Sequence, residues 1–274
     1  MTEPLAIRGT VWFRALTGQA TPLSGDPASV LTADAPLSSD HARFLCVIPD
    51  PHGRFPCARR GEVGLDEAYA LASRVREVIE EGKNAMKRPI IAIVDVKSQA
   101  YGRREETAGI YLAGAAAADA YGSARMAGHP VIALVVGHAL SGGFLTHGYQ
   151  ANRILAFDDD GVMIHAMHKQ AAALITRRSV KSLEEFAKTV APLSYDIHDY
   201  AKLGLLHKLI HVDHPENPSG KEILAVQHEL IAAVEDARRG PVDLGCRLHS
   251  RGALEMRKGS ILARNKLEAQ WNEK

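Results

Sequence analysis

The sequence predicts an α/β protein. Short apolar runs rich in β-branched residues alternate along the chain with longer segments in which apolar residues recur at helical spacing. With 46% hydrophobic and 24% charged residues, the composition is that of an ordinary globular protein, and 274 residues can bury a full core. We expect one domain over residues 1–274, with its core at about 40–215 and a C-terminal helical region over 219–274.

The N-terminal part of the chain combines predicted strands with one helix. Apolar residues at helical spacing predict a helix from Leu65 to Ile79, with Gly82 as the C′ residue that ends it. Before this helix, β-prone pieces alternate with Gly, Pro and Asp turns. The predicted strands are GTVWFRAL (9–16), ASVLTA (28–33) and ARFLCVIPD (42–50), and PDPHG (49–53) is a predicted turn.

Two strand–loop–helix units follow. The apolar run Arg88–Val96 leads into the loop 97–106 and an Ala-rich helix, and the run 131–136 leads into a Gly-rich turn and a second helix. A right-handed crossover between them would make the two strands parallel and bring both loops to one edge of the sheet. Backbone N–H groups in such loops can hold an oxyanion in a pocket that excludes water.

The remaining elements complete the alternation. Ser182 is the predicted N-cap of a helix in SVKSLEEFAKTV (179–190), with Glu185 completing a capping box. NRILAF (152–157) and GVMIHAM (161–167) flank a turn and predict a pair of strands. DYAKLGLLHKLI (199–210) predicts a short helix, a stop at Gly and a strand, and 219–239 and 254–272 predict long polar helices.

The composition and the N-terminus exclude several classes of function. The 33 basic and 32 acidic residues leave a net charge of +1, so nothing attracts the chain to nucleic acid. The first residues lack the basic and apolar regions of a signal peptide, and no apolar run is long enough to span a membrane. Three scattered cysteines, Cys46, Cys57 and Cys246, are too few for a disulfide framework. We therefore expect a cytoplasmic protein with no nucleic-acid or membrane partner.

Two segments resemble a known family. Asp95–Ile110 is similar to the D-x-x-G-F-x-x-G-x-x-x-E-x-x-G-I segment of biotin-dependent carboxyltransferases in the crotonase superfamily. His138–Phe144 is similar to their K-A-Y-G-G-A-Y oxyanion segment, and the spacing between the two segments also fits. The residues of the first segment in register are Asp95, Gly102, Glu106, Gly109 and Ile110.

Departures from this pattern point to one branch of the superfamily. Ser98 and Gln99 replace Gly-Phe in the first loop, and Ser141 replaces the first Gly of the second. These changes put transfer to biotin in doubt more than they threaten the oxyanion loops. With the chain length and the flanking segments, they resemble most closely the gamma subunit of biotin-independent malonate decarboxylase. The resemblance implies a crotonase-like (ClpP/crotonase) fold of stacked ββα units with C-terminal helices.

The resemblance also implies an activity and its partners. Together with a homologous beta subunit, in a heterodimer or higher oligomer, the chain would be a carboxy-lyase that converts a malonyl thioester into an acetyl thioester and CO₂. The substrate would be carried on the phosphopantetheine arm of an acyl carrier protein, or on coenzyme A, and the complex would include an acyl-carrier transferase subunit. It implies no covalently bound cofactor and no biotin. Two alternatives stay open, a biotin-dependent acyl-CoA carboxyltransferase subunit and a structural subunit without catalytic function.

Decarboxylation of a thioester places negative charge on the carbonyl oxygen, so donors at that oxygen stabilise the transition state. The N–H groups of Gly142 and Gly143 are the first candidates, and Gly102 is the candidate on the other loop. Close packing, or a turn with positive φ at Gly102, would also explain these glycines. Tyr101 and His138 are candidate proton donors, with a structural role as the alternative. Candidate substrate-binding residues are Ser98, Gln99, Ala100, Ser141 and Glu106.

Other chemistries find less support. Glu106 could simply complement a helix dipole, and no base can be identified that would make Ser141 a nucleophile. His165-x-x-His168, and His207 with His211, are spaced like metal ligands, but no carboxylate completes either set, so we expect no metal. No phosphate-binding glycine motif occurs, and Ala85–Arg88 is an incomplete biotin-attachment segment. The C-terminal region is rich in basic residues, which predicts a solvated helix face. Docking of an acidic carrier protein is the alternative interpretation. The basic residues are Arg247, Arg251, Arg257, Lys258, Arg264 and Lys266.

Overall fold

The computed structural model describes residues 7–18, 20–83 and 85–272. The strands in these residues are β1 (Val30–Leu37), β2 (Asp40–Val47), β3 (Ile90–Val96), β4 (Val131–Leu140), β5 (Arg153–Phe157), β6 (Met163–His165) and β7 (Lys208–Ile210). The helices are α1 (Arg8–Thr17), α2 (Leu65–Glu81), α3 (Arg103–Thr107), α4 (Ile110–Met126), α5 (Ser141–Thr146), α6 (Lys169–Ile175), α7 (Val180–Ala187), α8 (Ile197–Lys202), α9 (Gly220–Arg239), α10 (Cys246–His249), α11 (Arg251–Met256) and α12 (Lys258–Asn272). The predicted α/β class is confirmed.

All seven strands form one sheet in the order β1-β2-β3-β4-β5-β7, and β6 pairs with the end of β4. Only β1 and β2 are antiparallel among the described pairs. The strands β3 and β4 pair in parallel from Ile90 opposite Val131, as predicted. Both strands begin with long apolar runs, as expected of strands that are buried on both faces of a sheet. Their carboxyl ends therefore meet at one edge, where the two loops follow.

Residues 9–16 form a helix, so the predicted strand is wrong. Trp12, Phe13 and Leu16 are buried on one side of α1, and the Trp12 indole packs edge-on against the Phe157 ring with 4.7 Å between centroids. The indole Nε1–H also donates to the Pro215 carbonyl at 2.8 Å. Aromatic and β-branched residues favour strands only weakly, and these tertiary contacts override that preference.

The predicted pairing of 152–157 with 161–167 is also wrong. The strand β5 pairs with residues Ile132–Val135 of β4, whereas β6 pairs with His138–Leu140 further along the same strand. Both run parallel to β4, so the turn between them is not a hairpin. The predicted strand 131–136 continues to Leu140, and β6 provides the hydrogen-bonding partner for this extension. Pairing with a strand 25 residues later leaves no periodic pattern in the sequence.

Two helix boundaries differ from the prediction. Ser179, not Ser182, caps α7, because its Oγ accepts a hydrogen bond from the Ser182 N–H at 3.1 Å. The helix α2 does end directly before Gly82, as predicted; Gly82 has φ −81°, and a side chain there would clash with the His129 ring. The predicted helix 254–272 is broken at Arg257, between α11 and α12. The predicted short helix, Gly204 stop and strand at 199–210 are confirmed.

None of the helices in the described part of the chain is long and apolar enough to cross a membrane.

Candidate active site

Asp95 joins the two loops at the carboxyl edge of the sheet. Its buried carboxylate accepts the His138 N–H at 3.1 Å on one oxygen and the Gly9 N–H at 3.2 Å on the other. A side chain at Gly137 would clash with this carboxylate, so the glycine permits the contact. Asp95 therefore holds the end of β4 against β3 and positions the site without lining it.

The first loop is held by a short stretch of backbone pairing. The Ser98 carbonyl accepts from the Val63 N–H, and the Ala100 N–H donates to the Val63 carbonyl, both at 2.9 Å. The Ser98 hydroxyl donates to the Gln99 carbonyl at 2.7 Å, and Ala100 is completely buried. Of the three predicted substrate-binding residues in this loop, only Gln99 lines a cavity.

The second loop is a sharp strand-to-helix turn at Ser141. Its φ of +55° lies in the left-handed region, which costs about 1–3 kcal/mol for a residue other than glycine. The Ser141 hydroxyl donates to the Ala166 carbonyl at 2.9 Å and holds the turn against the residues after β6. Directly after the buried strand β4, this turn leaves Gly142 half-buried at the wall of a cavity, beside the Gln99 side chain.

Two cavities meet at Gly142. The first, here called the α4 cavity, has a volume of about 330 Å³ and lies between the start of α2, α4 and α5. The second, the β6 cavity, has about 280 Å³ and lies between α5, β6, α8 and the α11–α12 junction. Gly142 and Leu145 line both. A small acyl group bound at Gly142 can therefore reach into both spaces.

The Gly142 amide is occupied by a side chain of the same protein. Gln99 Oε1 accepts the Gly142 N–H at 2.7 Å, and Gln99 lines the α4 cavity. A carboxamide oxygen in this position has the same hydrogen-bonding chemistry as a thioester carbonyl oxygen. The amide thus already binds a carbonyl group where the sequence places an oxyanion donor.

Gly143 and Gly102 are required for packing. A side chain on Gly143 would clash with the Ser98 carbonyl, so this glycine lets the two loops touch. Gly102 has an extended backbone with φ 174°, not the positive φ considered above. A side chain there would clash with the buried Glu105 carboxylate. Neither glycine lines the α4 or the β6 cavity.

The other predicted residues are divided between the cavities and the surroundings. Glu106 is exposed and lines the α4 cavity, and Ser141 lines the β6 cavity. The Tyr101 side chain is 57% exposed, and His138 lies in β4 beside Met163. The structure brings neither candidate proton donor to the lining of these cavities.

His165 lines the β6 cavity, and sequence reasoning missed this role. Its Nδ1 lies 3.1 Å from the Met167 nitrogen, whose N–H points at it, and its ring stacks on Tyr195 with 3.9 Å between centroids. Burial lowers the pKa of His165, which keeps the ring neutral. No pattern in the sequence places His165 beside Ser141, because the contact depends on the pairing of β6 with β4.

The two pairs of histidines with the spacing of metal ligands lie in different surroundings from those their spacing suggests. His165 ends β6 whereas His168 precedes α6, so the two do not share a helix face. His207 and His211 lie at opposite ends of β7. No group of three or more potential ligands that could hold a metal ion occurs in residues 7–18, 20–83 and 85–272.

Two of the C-terminal basic residues are not on a solvated face. Arg247 is buried and donates to the Ala151 carbonyl, which corrects the prediction for this residue. Arg257 is half-buried, lines the β6 cavity and donates from Nε to the Leu203 carbonyl at 2.7 Å. The remaining four, Arg251, Lys258, Arg264 and Lys266, are exposed as predicted.

The end of α5 is held by a buried histidine. His147 Nε2 lies 2.9 Å from the Ile93 carbonyl of β3, and Nδ1 lies 2.9 Å from the Tyr121 hydroxyl of α4. A neutral ring satisfies both partners, donating from Nε2 and accepting at Nδ1. Complete burial lowers the pKa of His147 to about 4. His147 thereby fixes α5, the short helix that contains Gly142, to both β3 and α4.

Comparison with known proteins identifies relatives that match most of the chain. The malonate decarboxylase gamma-subunit family, MdcE, matches residues 58–271. The malonyl-S-ACP:biotin-protein carboxyltransferase MADD of Malonomonas rubra is 37% identical over 221 residues, covering 79% of this chain and 73% of its own.

Solved structures show the same relationship. A chain of the Pseudomonas malonate decarboxylase heterotetramer in complex with coenzyme A is 51% identical, with a TM-score of 0.91, covering 96% of this chain and 99% of that chain. A chain of the Pseudomonas MdcD–MdcE heterodimer is 50% identical, with a TM-score of 0.88 and coverage of 97% and 100%. Transcarboxylase 12S, at 17% identity and a TM-score of 0.64 over 86% of this chain and 41% of that chain, shares the fold. The predicted crotonase-like fold is confirmed.

Proposed function

Because this chain belongs to the malonate decarboxylase gamma-subunit family, we propose that it forms a decarboxylase with a homologous beta subunit. The complex converts a malonyl thioester on an acyl carrier protein into an acetyl thioester and CO₂, without biotin. The observation that supports this most directly is the hydrogen bond from the Gly142 N–H to the Gln99 carboxamide oxygen, at the point where two cavities meet. A complex of related chains, the Pseudomonas MdcD–MdcE heterodimer, supports the partner.

The chemistry requires a sink for one electron pair. The bond between the α-carbon and the carboxylate breaks, its electron pair moves through the α-carbon to the thioester carbonyl oxygen, and CO₂ leaves. The resulting enolate is then protonated at the α-carbon. A fixed N–H at the oxygen favours the transition state because the negative charge develops there; removal of one such donor typically costs about 100- to 1,000-fold in kcat.

In this proposal the substrate carbonyl takes the place of the Gln99 side chain. Gln99 Oε1 and the thioester oxygen compete for one N–H, so Gln99 turns away when substrate binds. The thioester and its pantetheine arm then occupy the α4 cavity, beside Glu106 and Thr146. Gly143, first considered as a donor together with Gly142, acts by letting the two loops touch, and Gly102, the candidate on the other loop, makes room for the Glu105 carboxylate.

A second candidate function is transfer of the carboxyl group to biotin, supported by the name of the Malonomonas rubra relative. Both reactions pass through the same enolate and would use the same oxyanion loop. They differ in the acceptor, because only the transfer reaction needs a biotinylated protein. Avidin inhibition therefore separates them: the proposed decarboxylase releases CO₂ at an unchanged rate, whereas a transferase loses its activity.

The proposed function is tested with the assembled complex. The chain is produced with its homologous beta subunit, and CO₂ release from malonyl-carrier thioester is measured for the native complex and for Gly142→Ala. The added methyl would lie 2.8 Å from Gln99 Oε1, in the space the thioester oxygen needs, so kcat/KM should fall about 100-fold. Gly220→Ala is the matched control, because its methyl group meets nothing within 4 Å. Wild-type CO₂ release from an assembled Gly142→Ala complex would refute the role of this chain.

A further inference from the structure

The β6 cavity contains a guanidinium group with unused donors. Arg257 lies between α11 and α12, and its Nε donates to the Leu203 carbonyl at the end of α8. No carboxylate in the described part of the chain pairs with Arg257, and its terminal nitrogens make no hydrogen bond there. A guanidinium carries several N–H donors in one plane, a geometry that matches the two oxygens of a carboxylate.

The same cavity contains a second polar group, the imidazole ring of His165. Nδ1 lies 3.1 Å from the Met167 nitrogen and 3.0 Å from the Met167 carbonyl oxygen, so its role depends on the tautomer. In the tautomer in which Nδ1 accepts the Met167 N–H, the proton lies on Nε2. Stacking on Tyr195 holds the ring, and the Tyr195 hydroxyl donates to the Met167 carbonyl at 2.7 Å, which fixes the backbone below it. Nε2 makes no hydrogen bond within the described residues, and His165 lines the cavity.

The rest of the wall is mainly apolar, with Phe144, Ile164 and Leu205 among the lining residues. An apolar pocket with one cation and one neutral donor suits a small monocarboxylate better than a phosphate or a sugar. With 280 Å³, the cavity has room for a carboxylate and the carbon that carries it.

We propose that the β6 cavity binds the free carboxylate of the malonyl group, through the Arg257 guanidinium and through the His165 ring in the tautomer that carries its proton on Nε2. This proposal rests on the proposed function, which places the thioester oxygen on the Gly142 N–H. One methylene group separates the thioester carbonyl from the carboxylate of a malonyl group. Because Gly142 lines both cavities, a malonyl group bound there would direct its carboxylate into the β6 cavity.

The two kinds of wall residue would act at different stages. Arg257 interacts with the carboxylate of the ground state, whose charge disappears when CO₂ forms. The apolar residues favour the neutral product over the anion. An interaction made in the ground state and lost in the transition state lowers KM and also lowers kcat, so it strengthens binding but does not accelerate the reaction. Arg257 therefore provides affinity and selection for malonyl over acetyl, while Gly142 provides the catalytic stabilisation.

The test compares two ligands that differ only in the carboxylate. Binding of malonyl-CoA and acetyl-CoA to the assembled complex is measured by calorimetry for native protein, Arg257→Gln and Arg257→Lys. Arg257→Gln should weaken malonyl-CoA binding at least tenfold and leave acetyl-CoA binding unchanged, and Arg257→Lys should restore part of the loss. In the decarboxylation assay, Arg257→Gln should raise KM without lowering kcat. Arg251→Gln is the control, because this side chain is 94% exposed.

Equal weakening of both ligands would overturn the proposal, since Arg257 would then act only by holding the α11–α12 junction against the end of α8. Unchanged binding of malonyl-CoA would overturn it as well. His165→Phe, which keeps an aromatic ring on Tyr195 but removes the donor, should weaken malonyl-CoA binding and leave acetyl-CoA binding unchanged.

Failure of the carboxylate site and failure of the proposed function give different results. If the native complex binds malonyl-CoA through Arg257 but releases no CO₂, the carboxylate site is supported and the proposed function is refuted. If CO₂ is released without any dependence of KM on Arg257, the proposed function holds and the carboxylate site fails.

Discussion

At the scale of single residues, the site depends on one amide hydrogen and on the side chain that covers it. Gln99 Oε1 lies 2.7 Å from the Gly142 nitrogen and fills the position assigned to the thioester oxygen. The carboxamide oxygen makes the same bond a substrate would make, so the site is complete before substrate arrives. Substrate binding must break this internal hydrogen bond, which is worth about 0.5–1.5 kcal/mol.

Replacing Gln99 by alanine should therefore help the substrate. The variant removes the competitor for the Gly142 N–H, and we expect KM for malonyl thioester to fall severalfold with little change in kcat. Steady-state kinetics of the complex measure this. A tenfold or greater fall in kcat would show instead that the Gln99 carboxamide is itself a donor to the reacting group.

A substitution at Ser141 tests whether this residue, in the strand-to-helix turn, acts as a nucleophile. Its hydroxyl donates to the Ala166 carbonyl, and its role in this arrangement is to hold the turn. Ser141→Ala should lower the free energy of unfolding by about 1 kcal/mol, for the lost hydrogen bond, and leave kcat within tenfold. Urea unfolding and CO₂ release measure the two effects. Complete loss of activity in a folded complex would indicate covalent catalysis by Ser141.

At the scale of secondary-structure elements, the position of α5 depends on His147, which joins it to β3 and α4. The pKa of His147 is about 4 in the folded chain and 6.5 ordinarily, so the unfolded chain binds a proton first as pH falls. The free energy of unfolding is therefore fully present above pH 6.5 and decreases toward pH 4, by about 3 kcal/mol for this group.

This prediction is checked by urea unfolding at pH 7 and pH 5. The free energy of unfolding of the native chain should decrease from pH 7 to pH 5. The His147→Asn variant should be less stable than the native chain at pH 7, but its free energy of unfolding should decrease less from pH 7 to pH 5. His228→Gln is the control, because His228 is exposed and should leave the pH dependence unchanged. An equal pH dependence in native chain and His147→Asn would show that other groups control it.

The elements that could be predicted from the sequence are those determined by patterns of neighbouring residues. The strands β3 and β4 are long apolar runs, α2 and α4 have clear boundaries, and the loops after the two strands meet as expected from parallel pairing. Residues 9–16 were mistaken for a strand because Trp12 and Phe13 have β propensity, whereas burial against distant residues decides their structure. His165 and Arg257 could not be predicted, since β6 and the α11–α12 break bring them to Gly142 from distant parts of the chain.

At the scale of the whole molecule, the α4 cavity opens beside exposed apolar side chains. Tyr111, Leu112 and Leu145 are each more than half exposed, and Tyr111 and Leu145 also line that cavity. A partner that covered them would also close the cavity from water. This surface lies near the segments 101–108 and 143–150, which we propose as the contact with the beta subunit.

We expect the isolated chain to fold but to remain inactive without this partner. Leu145→Asp should weaken association with the beta subunit at least tenfold, because a charge would replace an apolar contact in an interface of about 2,000 Å² or more. Leu224→Asp on α9 is the control, since Leu224 is comparably exposed but lines neither cavity. Sedimentation with and without the partner measures both variants. Unimpaired association of Leu145→Asp would place the interface elsewhere.

The central claim is that a Gly142 N–H in this chain stabilises the enolate formed from a malonyl thioester in the assembled complex. The most direct measurement is the rate of CO₂ release from malonyl-carrier thioester by the complex with its beta subunit, in the presence of avidin, for native chain, Gly142→Ala and Gly220→Ala. We predict release that avidin does not affect, about 100-fold slower for Gly142→Ala and unchanged for Gly220→Ala. Native rates from an assembled Gly142→Ala complex, or equal release by the beta subunit alone, would contradict it.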